Sequence, residues 1–453
     1  MTFPRYADYK DSGVEWLGEV PAHWGVVSLK RDIAFLTSGS RGWAEHYSDD
    51  GVLFLRIGNL TRDSITLDLS DIQRVNLPDG AEGERTRVVA GDVLFSITAY
   101  LGSVAVAPKG LEEAYVSQHV ALVRLHQRKF IPAWVGYVTL SNIGISYLET
   151  RGYGGTKVQL SLDDVANLIV TTPPLPEQTA IAAFLDHETG KIDALVAEQE
   201  KLIALLKEKR QAVISHAVTK GLDPSVPLKD SGIEWLGEVP EHWEISRMKH
   251  LCSHVVDCLH TTPTYDGELE YPAIRTADVD RGILLLDQAR LVSREIYEER
   301  IQRLCPMAGD ILYSREGERF GMAALVPEDV NLCLGQRMMM FRTNERAHPA
   351  FMMWLLNSDA VYQQVLEKVG GSTSPHVNIS DIINFHVPLP PKDEQSRIAE
   401  RIAIIATSVD TLTAEAERAI ALLKERRSAL ISAAVTGKID VRWFVAPTPQ
   451  EAA

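Results

Sequence analysis

The sequence is poor in cysteine, with four in 453 residues, all in its second half: Cys252, Cys258, Cys305 and Cys333. Their spacing lacks the pairing of a disulfide framework, so we expect free thiols and a reducing compartment. Long apolar runs are also missing. A membrane-spanning helix needs a run of about 18 or more apolar residues, and the sequence contains no such run. The first residues, MTFPRYADYK, lack the charged-then-apolar layout of a signal peptide. These absences predict a cytoplasmic protein.

An excess of positive charge is absent as well. The chain has 46 Lys and Arg against 61 Asp and Glu, which gives a formal net charge of −15. This balance argues against indiscriminate binding to nucleic acid but leaves room for a locally basic cleft. A hydrophobic content of 45% over this length is typical of a globular chain with roughly two to four domains.

What the sequence does contain is an internal repeat. The string KDSGVEWLGEVPAHW (Lys10–Trp24) returns as KDSGIEWLGEVPEHW (Lys229–Trp243), 219 positions later (229 minus 10). We name these the first and second tryptophan strings. A second pair of segments, Pro176–Thr219 and Asp393–Thr436, aligns without a gap at an offset of 217 (393 minus 176). The chain therefore consists of two half-molecules, each with a tryptophan string, a variable region and a repeated segment in that order.

The repeated segments have the pattern of long helices. Side chains recur at steps of three and four, which predicts a heptad seam on each helix. The predicted seam positions are Ile192, Leu195, Gln199, Leu202, Leu206, Lys209 and Val213, and Val409, Leu412, Ala416, Ala419, Leu423, Arg426 and Leu430. About 40 helical residues make a rod of roughly 60 Å, and two rods in one chain favour an antiparallel pair. The alternative is that each helix only packs on its neighbouring domain.

The variable regions, residues 25–172 and 244–387, have another texture. Short apolar runs such as VLFLRIGNL and GDVLFSITAY are separated by Gly, Pro, Asp and Asn, which is typical of strands joined by turns. Landmarks that recur at nearly constant offset are Arg56 and Arg275, and Gln118-His119 and Gln336-Arg337. One fold with two different surfaces is the economical interpretation. Such a plan suits a protein that reads two separate sites at a fixed spacing.

Together, the DSGxEWLGEVPxHW strings, the helix starts PPLPEQxxI and PLPPKDEQxxI and the paired variable regions resemble the specificity subunit of type I restriction-modification enzymes. The resemblance covers nearly the whole chain, and DCLHTTPTYDGELEYPAIRTADV resembles the opening of a target-recognition domain in that family. It implies an α+β fold: two mixed α/β target-recognition domains separated by two long helices that form an antiparallel coiled coil, in a pseudo-twofold internal repeat. The expected domains are residues 1–172 (first recognition domain), 173–226 (central helical spacer), 227–387 (second recognition domain) and 388–453 (C-terminal spacer and tail).

The resemblance also implies a non-catalytic DNA sequence-recognition subunit that reads a bipartite target. Its expected partners are double-stranded DNA, two methyltransferase subunits and restriction/translocase subunits, without a membrane. S-adenosylmethionine, Mg and ATP are expected on those partner subunits and no cofactor on this chain. Two other classes stay open from the residues themselves: a two-lobed protein–protein scaffold without DNA specificity, and an enzyme with its own active site.

Candidate DNA-contacting residues follow from side-chain chemistry and from the repeat. Amide and guanidinium groups can bond purine edges, and Gly-rich loops let the backbone approach phosphates. The candidates are Arg56, Gln118, His119, Thr156, Lys157, Arg275, His260, Arg315, Gln336, Arg337, Ser372 and Thr373. Each has a structural alternative, namely an ion-paired surface Arg, a Gln that satisfies buried backbone, or a plain turn.

Candidates for partner or helix docking come from the tryptophan strings. A pseudo-twofold chain must offer the same surface to two copies of one partner, so strings that contact the partner should occur twice. These candidates are Trp16, His23, Trp24, Trp235, His242 and Trp243. The alternative is that the aromatic side chains cap the core of each domain.

No catalytic or metal-binding residue is predicted. TTPPL lacks the amide and the aromatic residue of an adenine-methyltransferase motif, and GYGGTK lacks Walker spacing. The segment HLCSHVVDCLH (His250–His260) offers five Cys and His side chains. Strand alternation would crowd three of them on one face, which does not suit tetrahedral zinc. We therefore expect no metal there.

Overall fold

The computed structural model describes residues 3–39, 41–77, 82–154, 158–317, 319–368 and 376–444. The chain divides into two compact units. The first unit comprises residues 1–200 and 418–453, and the second comprises residues 201–417. Each unit thus contains one tryptophan string, one variable region and a part of both repeated segments.

The first unit begins with short strands and ends in a long helix. Its strands are β1 (Tyr9–Asp11), β2 (Glu19–Pro21), β3 (Gly25–Ser28), β4 (Ile33–Ser38), β5 (Tyr47–Ser48), β6 (Val52–Leu55), β7 (Arg74–Val75), β8 (Val93–Ser96), β9 (Val104–Val106), β10 (Ala114–Val116), β11 (Val120–Leu125) and β12 (Ile169–Thr172). Its helices are α1 (Glu82–Thr86), α2 (Pro132–Leu140), α3 (Asn142–Arg151), α4 (Leu162–Ala166) and α5 (Leu175–Lys220), the last of which continues into the second unit.

Two four-stranded sheets organise the variable region of the first unit. One has the order β4-β11-β8-β9 with antiparallel pairs throughout. The other has the order β10-β6-β7-β5, in which β10 runs parallel to β6. β8 (VLFS) and most of β11 (VALVRL) are buried on both faces, which explains why their sequences are nearly continuous apolar runs. β12 pairs with β3 and so brings the start of α5 beside the first tryptophan string.

The second unit repeats this order of elements. Its strands are β13 (Leu228–Asp230), β14 (Glu238–Pro240), β15 (Glu244–Arg247), β16 (Cys252–Asp257), β17 (Tyr271–Ile274), β18 (Val279–Asp280), β19 (Ile283–Leu284), β20 (Arg290–Val292), β21 (Ile311–Ser314), β22 (Ala323–Leu325), β23 (Cys333–Leu334), β24 (Met338–Thr343) and β25 (His386–Leu389). Its helices are α6 (Arg294–Arg300), α7 (Pro349–Leu356), α8 (Asp359–Lys368), α9 (Ile379–Ile382) and α10 (Lys392–Val435), the last of which continues into the first unit.

The sheets of the second unit resemble those of the first, although the sheet around β17 has three strands, β20-β17-β23, where the sheet around β6 has four. The order β16-β24-β21-β22 is again antiparallel throughout. β17 runs parallel to β23, as β6 does to β10, and β15 pairs with β25, as β3 does with β12. The two variable regions therefore have one fold despite their divergent sequences, as predicted.

Both tryptophan strings fold as the same hairpin. β1 pairs with β2 and β13 with β14, each over three antiparallel residue pairs. Gly13 and Gly18 have φ of 70° and 71°, and Gly232 and Gly237 have φ of 71° and 61°. Side chains with a Cβ rarely adopt this left-handed conformation. The recurrence of both glycines in each string is therefore a requirement of the turn.

Within the first unit, α5 and α10 pack on each other in antiparallel fashion. Arg427 Nε donates to Asp193 Oδ1 at 2.9 Å. Thr171, in β12 just before α5, donates its hydroxyl to the carbonyl of Val435 at the end of α10 at 2.7 Å. Later residues of the segment that contains α5 thus contact earlier residues of α10, which makes the two helices antiparallel. Apolar residues of both helices belong to one core: Ile181, Phe184, Leu185, Leu430, Ile431 and Ala434.

The second unit contains the same antiparallel contact between the other halves of these helices. Arg210 Nε lies 3.1 Å from Asp410 Oδ1, close enough for an ion pair although not aligned as a hydrogen bond. Apolar residues of both helices again belong to one core: Ile214, Ala217, Val218, Ile398, Ala399 and Ile402. The antiparallel helix pair is confirmed in each unit, and the alternative that each helix packs only on its neighbouring domain is wrong.

The predicted seam is wrong by one position along part of each helix. Leu195 and Leu202 are 46% and 42% exposed, whereas the adjacent Val196 and Ile203 are more buried. The other shifted pairs, exposed residue first, are Lys209 and Arg210, Leu412 and Thr413, and Arg426 and Arg427. Two apolar stripes lie side by side on these helices, and the tertiary contact decides which one is covered. Ile192, Val409, Ala416 and Leu430 are buried as predicted.

Candidate functional site

A buried carboxylate clamps the first tryptophan string to the start of α5. Glu177, in the first turn of α5, accepts hydrogen bonds from Tyr6 Oη at 2.7 Å and from Trp24 Nε1 at 3.1 Å. His23 Nε2 lies 2.8 Å from the other carboxylate oxygen. Burial and the bond to Glu177 raise the pKa of the Tyr6 hydroxyl far above its ordinary value, so this hydroxyl stays a donor. We name this set the first clamp.

The second clamp has the same design at the start of α10. Glu394 accepts from Trp243 Nε1 at 3.2 Å and contacts His242 Nε2 at 2.8 Å. Trp24 and Trp243 are both fully buried. Among the residues that the structure describes, no tyrosine repeats the Tyr6 bond in the second clamp. The two clamps explain why Trp, His and the Glu of the helix start recur together.

The glutamine after each clamp carboxylate joins the helix start to the variable region. Gln178 accepts from Ile131 N at 3.0 Å and donates to the carbonyls of Lys129 at 2.6 Å and Pro173 at 2.9 Å. Gln395 makes the equivalent three bonds, to His348 N at 2.7 Å and to the carbonyls of residues 346 and 390 at 3.0 and 2.8 Å. Neither residue of this Glu-Gln pair is among the predicted site residues, because their bonds join segments that lie far apart in the sequence.

The six tryptophan-string candidates divide into two groups. Trp24 and Trp243 lie in the cores of their units, and with His23 and His242 they contact the carboxylates at the starts of α5 and α10. Docking of a partner at these positions stays a prediction. Trp16 is 49% exposed, and Trp235 is partly buried. Trp16 lies on the surface, whereas Trp235 packs against an apolar cluster of the second unit. Docking of a partner at these two positions also stays a prediction.

In the first unit, Gln118 and His119 form the turn between β10 and β11. Their side-chain Nε2 atoms lie 3.1 Å apart. The turn borders a cleft of about 400 Å³ whose walls also include Arg41 and Tyr153. Tyr153 is 56% exposed, so its ring is available for stacking. We name this the first cleft; Arg41 and Tyr153 were not among the predicted residues.

The equivalent turn of the second unit carries different chemistry. Gln336 and Arg337 link β23 to β24, and Arg337 has a left-handed φ of 68°. Gln336 Oε1 accepts from the Thr262 hydroxyl at 3.2 Å. Arg337 Nε lies 3.5 Å from Glu316, a carboxylate that was not predicted.

Two carboxylates connect this turn to further predicted residues. Arg315 Nη1 lies 2.9 Å from Glu316, and Arg315 Nε donates to Asp257 at 3.2 Å. His260 Nε2 lies 3.0 Å from the other oxygen of Asp257. The structure thus brings His260, Arg315 and Arg337 into one cluster beside Gln336. Arg315 is buried within it, whereas the His260 side chain is 69% exposed.

Arg56 and Arg275 occupy matching positions directly after β6 and β17. Arg56 pairs with Asp71 at 3.1 Å. Arg275 donates twice to the buried Asp278, at 2.7 and 2.9 Å, and this hydrogen bonding raises the pKa of the guanidinium. In this structure both side chains hold local loops. A Cβ added to Gly335 would lie 3.1 Å from Arg275 Cγ, so Arg275 borders the second turn.

Thr156, Lys157, Ser372 and Thr373 lie outside the residues that the structure describes. Within the described ranges, no group of three or more His, Cys, Asp or Glu side chains could hold a metal ion. Likewise, no described helix is long and apolar enough to cross a membrane.

The two units share one fold but carry different side chains at the equivalent turn, Gln118-His119 in one and Gln336-Arg337 in the other. This combination defines a class of protein that presents two distinct surfaces on one scaffold. The sequence model of the type I restriction modification DNA specificity domain matches residues 76–204 and 240–420, more than half of the chain. The chain therefore belongs to the type I restriction-modification DNA specificity family. It is a non-catalytic specificity subunit that recognises the DNA target, as the resemblance implied, and not a DNA-independent scaffold.

Relatives and solved structures agree with this assignment. The chain is 24% identical to the type I restriction enzyme EcoBI specificity subunit of Escherichia coli, over 96% of this chain and 90% of the relative. It is 22% identical to the EcoKI specificity subunit of Escherichia coli (strain K12), over 94% and 91%. A solved structure from work on complex assembly and conformational transition of the type I R-M system shares the fold. Its TM-score is 0.68 at 17% identity, over 92% of this chain and 98% of that chain.

Proposed function

We propose that the two units read the two halves of a bipartite DNA target, one variable region for each half. The observation that carries this proposal is that the two units share one architecture but differ in the side chains of one equivalent turn. The clamps and sheet orders repeat, whereas Gln118-His119 in one unit stands where Gln336-Arg337 stands in the other. A protein that binds two different base sequences needs this combination, since the frame sets position and the turn side chains set specificity.

The turn side chains have the chemistry for direct readout. The Gln118 and Gln336 amides can each bond an adenine edge in bidentate fashion, and Arg337 can bond guanine. His119 and the exposed His260 supply further ring nitrogens. Arg315 is buried between Asp257 and Glu316 and so acts by holding the cluster in place. Ion pairs with Glu316 would be exchanged for contacts to DNA, which favours a guanine edge that can replace the carboxylate as acceptor.

The other predicted positions serve the backbone of the DNA in this proposal. Arg56 and Arg275 order the loops beside the turns. Thr156 and Lys157 in one unit, and Ser372 and Thr373 in the other, lie in Gly-rich segments that suit contacts to phosphates.

The proposed partners in a cytoplasmic complex are two methyltransferase subunits and the restriction/translocase subunits. The duplicated tryptophan strings and helix starts support two equivalent docking surfaces for one kind of partner. The methyltransferase would bind S-adenosylmethionine and extrude the target adenine. The chain contributes the choice of site and the distance between the two half-sites.

Co-expression with the cognate methyltransferase subunit, in a host that lacks DNA modification, tests this proposal. N6-methyladenine is mapped across the genome by single-molecule sequencing. We expect one bipartite motif that disappears when this chain is omitted. Arg337→Ala should alter the motif at one half only, and His119→Ala at the other half only. A complex that forms but yields no chain-dependent motif would refute the proposal.

A further inference from the structure

The turns that carry Gln118 and Gln336 make the same main-chain contacts in both units. The residue before the glutamine donates its N–H to the carbonyl at the end of β6 or β17, at 2.9 Å in the first unit and 2.7 Å in the second. The residue after the glutamine accepts from the N–H that follows β8 or β21, at 3.0 and 3.3 Å. The two glutamines therefore occupy the same place in the fold, and the difference between them lies in their side-chain partners.

The amide of Gln118 is held by its nitrogen. Gln118 Nε2 lies 3.1 Å from His119 Nε2, the ring nitrogen of the next residue. An amide nitrogen can donate a hydrogen bond but cannot accept one, so the imidazole nitrogen is the acceptor of this bond. The bond directs the amide nitrogen of Gln118 towards His119 and leaves the amide oxygen as the open end.

The amide of Gln336 is held by its oxygen instead. The Thr262 hydroxyl donates to Gln336 Oε1 at 3.2 Å. The loop that carries Thr262 is itself fixed by the buried Arg300, whose Nη2 donates to the carbonyl of Thr261 at 2.6 Å. Nη1 of the same guanidinium donates to the carbonyl of Leu334 at 3.1 Å, at the end of β23. Arg300 therefore joins the loop to the strand that leads into the turn, and so holds the hydroxyl beside the glutamine.

The two units thus present opposite ends of the same side chain. Among the residues that the structure describes, Gln118 Oε1 and Gln336 Nε2 have no hydrogen-bond partner. Gln118 is exposed and Gln336 is half-buried, so both open ends lie at the surface. An amide oxygen only accepts and an amide nitrogen only donates. The two turns therefore differ in hydrogen-bond polarity although they share the glutamine.

The edges of the bases in the major groove distinguish these two polarities. The amino groups of adenine and cytosine donate, whereas O6 and N7 of guanine, O4 of thymine and N7 of adenine accept. A glutamine can bond adenine with both ends of its amide. In this chain an internal bond holds one end of each amide, and it is a different end in each unit.

We propose that Gln118 selects a base through its amino group in the first half-site, and that Gln336 selects a base through an acceptor atom in the second. Thr262 is the positioning residue that sets the polarity of Gln336, and Arg300 holds Thr262 in place. This inference rests on the proposed function, because it takes the two turns to face the bases of the two half-sites.

Exchange of each glutamine for glutamate tests the polarity, because a carboxylate accepts at both oxygens and cannot donate. The full-length chain is co-expressed with its cognate methyltransferase, and N6-methyladenine is mapped across the genome. Gln118→Glu keeps the acceptor, so the first half-site should keep its sequence while the added charge weakens binding to DNA. Gln336→Glu loses the donor, so one base of the second half-site should no longer be selected. Competition binding should then show a loss of about tenfold or more in affinity for that half-site. Both variants add the same charge, so the difference between them isolates the polarity.

Thr262→Val removes the hydroxyl, keeps the branched shape and leaves the Gln336 amide able to rotate. The same position of the second half-site should then accept more than one base, and the first half-site should stay unchanged. Thr262→Ser restores the hydroxyl and should restore the selection. Thr264→Val is the matched control: it makes the same exchange on an exposed residue of this loop, and in the described structure the hydroxyl that bonds Gln336 is that of Thr262. The control should leave the motif unchanged.

The polarity inference is refuted if the two glutamate variants change the motif alike, if only Gln118→Glu changes it, or if neither does. In each of these cases a wild-type complex that methylates one bipartite motif leaves the proposed function intact. If Gln336→Glu fails to assemble with the methyltransferase, the threonine variants decide, and an unchanged motif in Thr262→Val then refutes the inference. A wild-type complex that forms but yields no chain-dependent motif overturns both the inference and the proposed function.

Discussion

Replacing Glu177 by Ala should destabilise the first unit more than Glu394→Ala destabilises the second. In the first clamp the substitution strands two buried donors, Tyr6 Oη and Trp24 Nε1, whereas in the second it strands only Trp243 Nε1. A buried donor left without a partner costs about 1–3 kcal/mol. The expected losses in the free energy of unfolding are therefore about 2–6 kcal/mol for Glu177→Ala and about 1–3 kcal/mol for Glu394→Ala.

The clamp histidines do not change this ranking, because their side chains are 42% and 43% exposed and regain water when the carboxylate is removed. Hydrogen exchange followed by mass spectrometry across a urea series resolves peptides of each unit and so measures the two losses separately. Glu198→Ala is the control: it changes an exposed residue on α5 and should cost no more than about 0.5 kcal/mol. The reasoning fails if Glu177→Ala behaves like this control, or if Glu394→Ala proves the more costly of the two.

Three other expectations concern DNA, thiols and the helices. His119→Ala and Arg337→Ala should each lower the affinity for one half-site by about 1–3 kcal/mol, measured by competition binding of the complex; equal losses at both half-sites would contradict the assignment. Iodoacetamide at pH 8 should label the exposed Cys305 before Cys252 and Cys333. Burial raises the pKa of the Cys252 and Cys333 thiols to about 12 and so keeps them protonated and unreactive. Peptide mapping measures the labelling rates, and equal rates at the three cysteines would contradict this burial. Insertion of one heptad into both long helices should lengthen the gap between half-sites by about 10 Å, or about three base pairs, without changing either half-site in a methylation map.

Much of the architecture could be predicted from the sequence, because it is written twice. The offset of 217 to 219 between strings and segments exposes the two-unit plan. Short apolar runs bounded by turn residues indicate the strands, and heptad patterns indicate the long helices. The one-residue error at Leu195 and Leu202 shows where this method stops. Periodicity gives the spacing of a covered stripe, but two adjacent stripes satisfy the same spacing, and only tertiary packing selects between them.

The candidate site was less accessible to sequence reasoning. Gln118 and Gln336 could be found because they recur in the repeat. The roles of Asp257 and Glu316 could not, since Asp257 reaches Arg315 and Glu316 reaches Arg337 across the fold. Those two contacts depend on the approach of strand ends, which sequence spacing does not encode. A buried Arg is a hint that carboxylates lie nearby, but burial is itself a result of the fold.

The glutamines Gln178 and Gln395 make their bonds to main-chain groups, at residues 129 and 131 in the first unit and at residues 346 and 348 in the second. Any residue offers the carbonyl, and any residue but proline offers the N–H. This attachment therefore places almost no demand on the identity of the amino acids that it holds. Mutations can accumulate across a variable region without weakening its attachment to the helix start. A lineage can therefore acquire a new DNA target while the position of the variable region on the long helix stays the same.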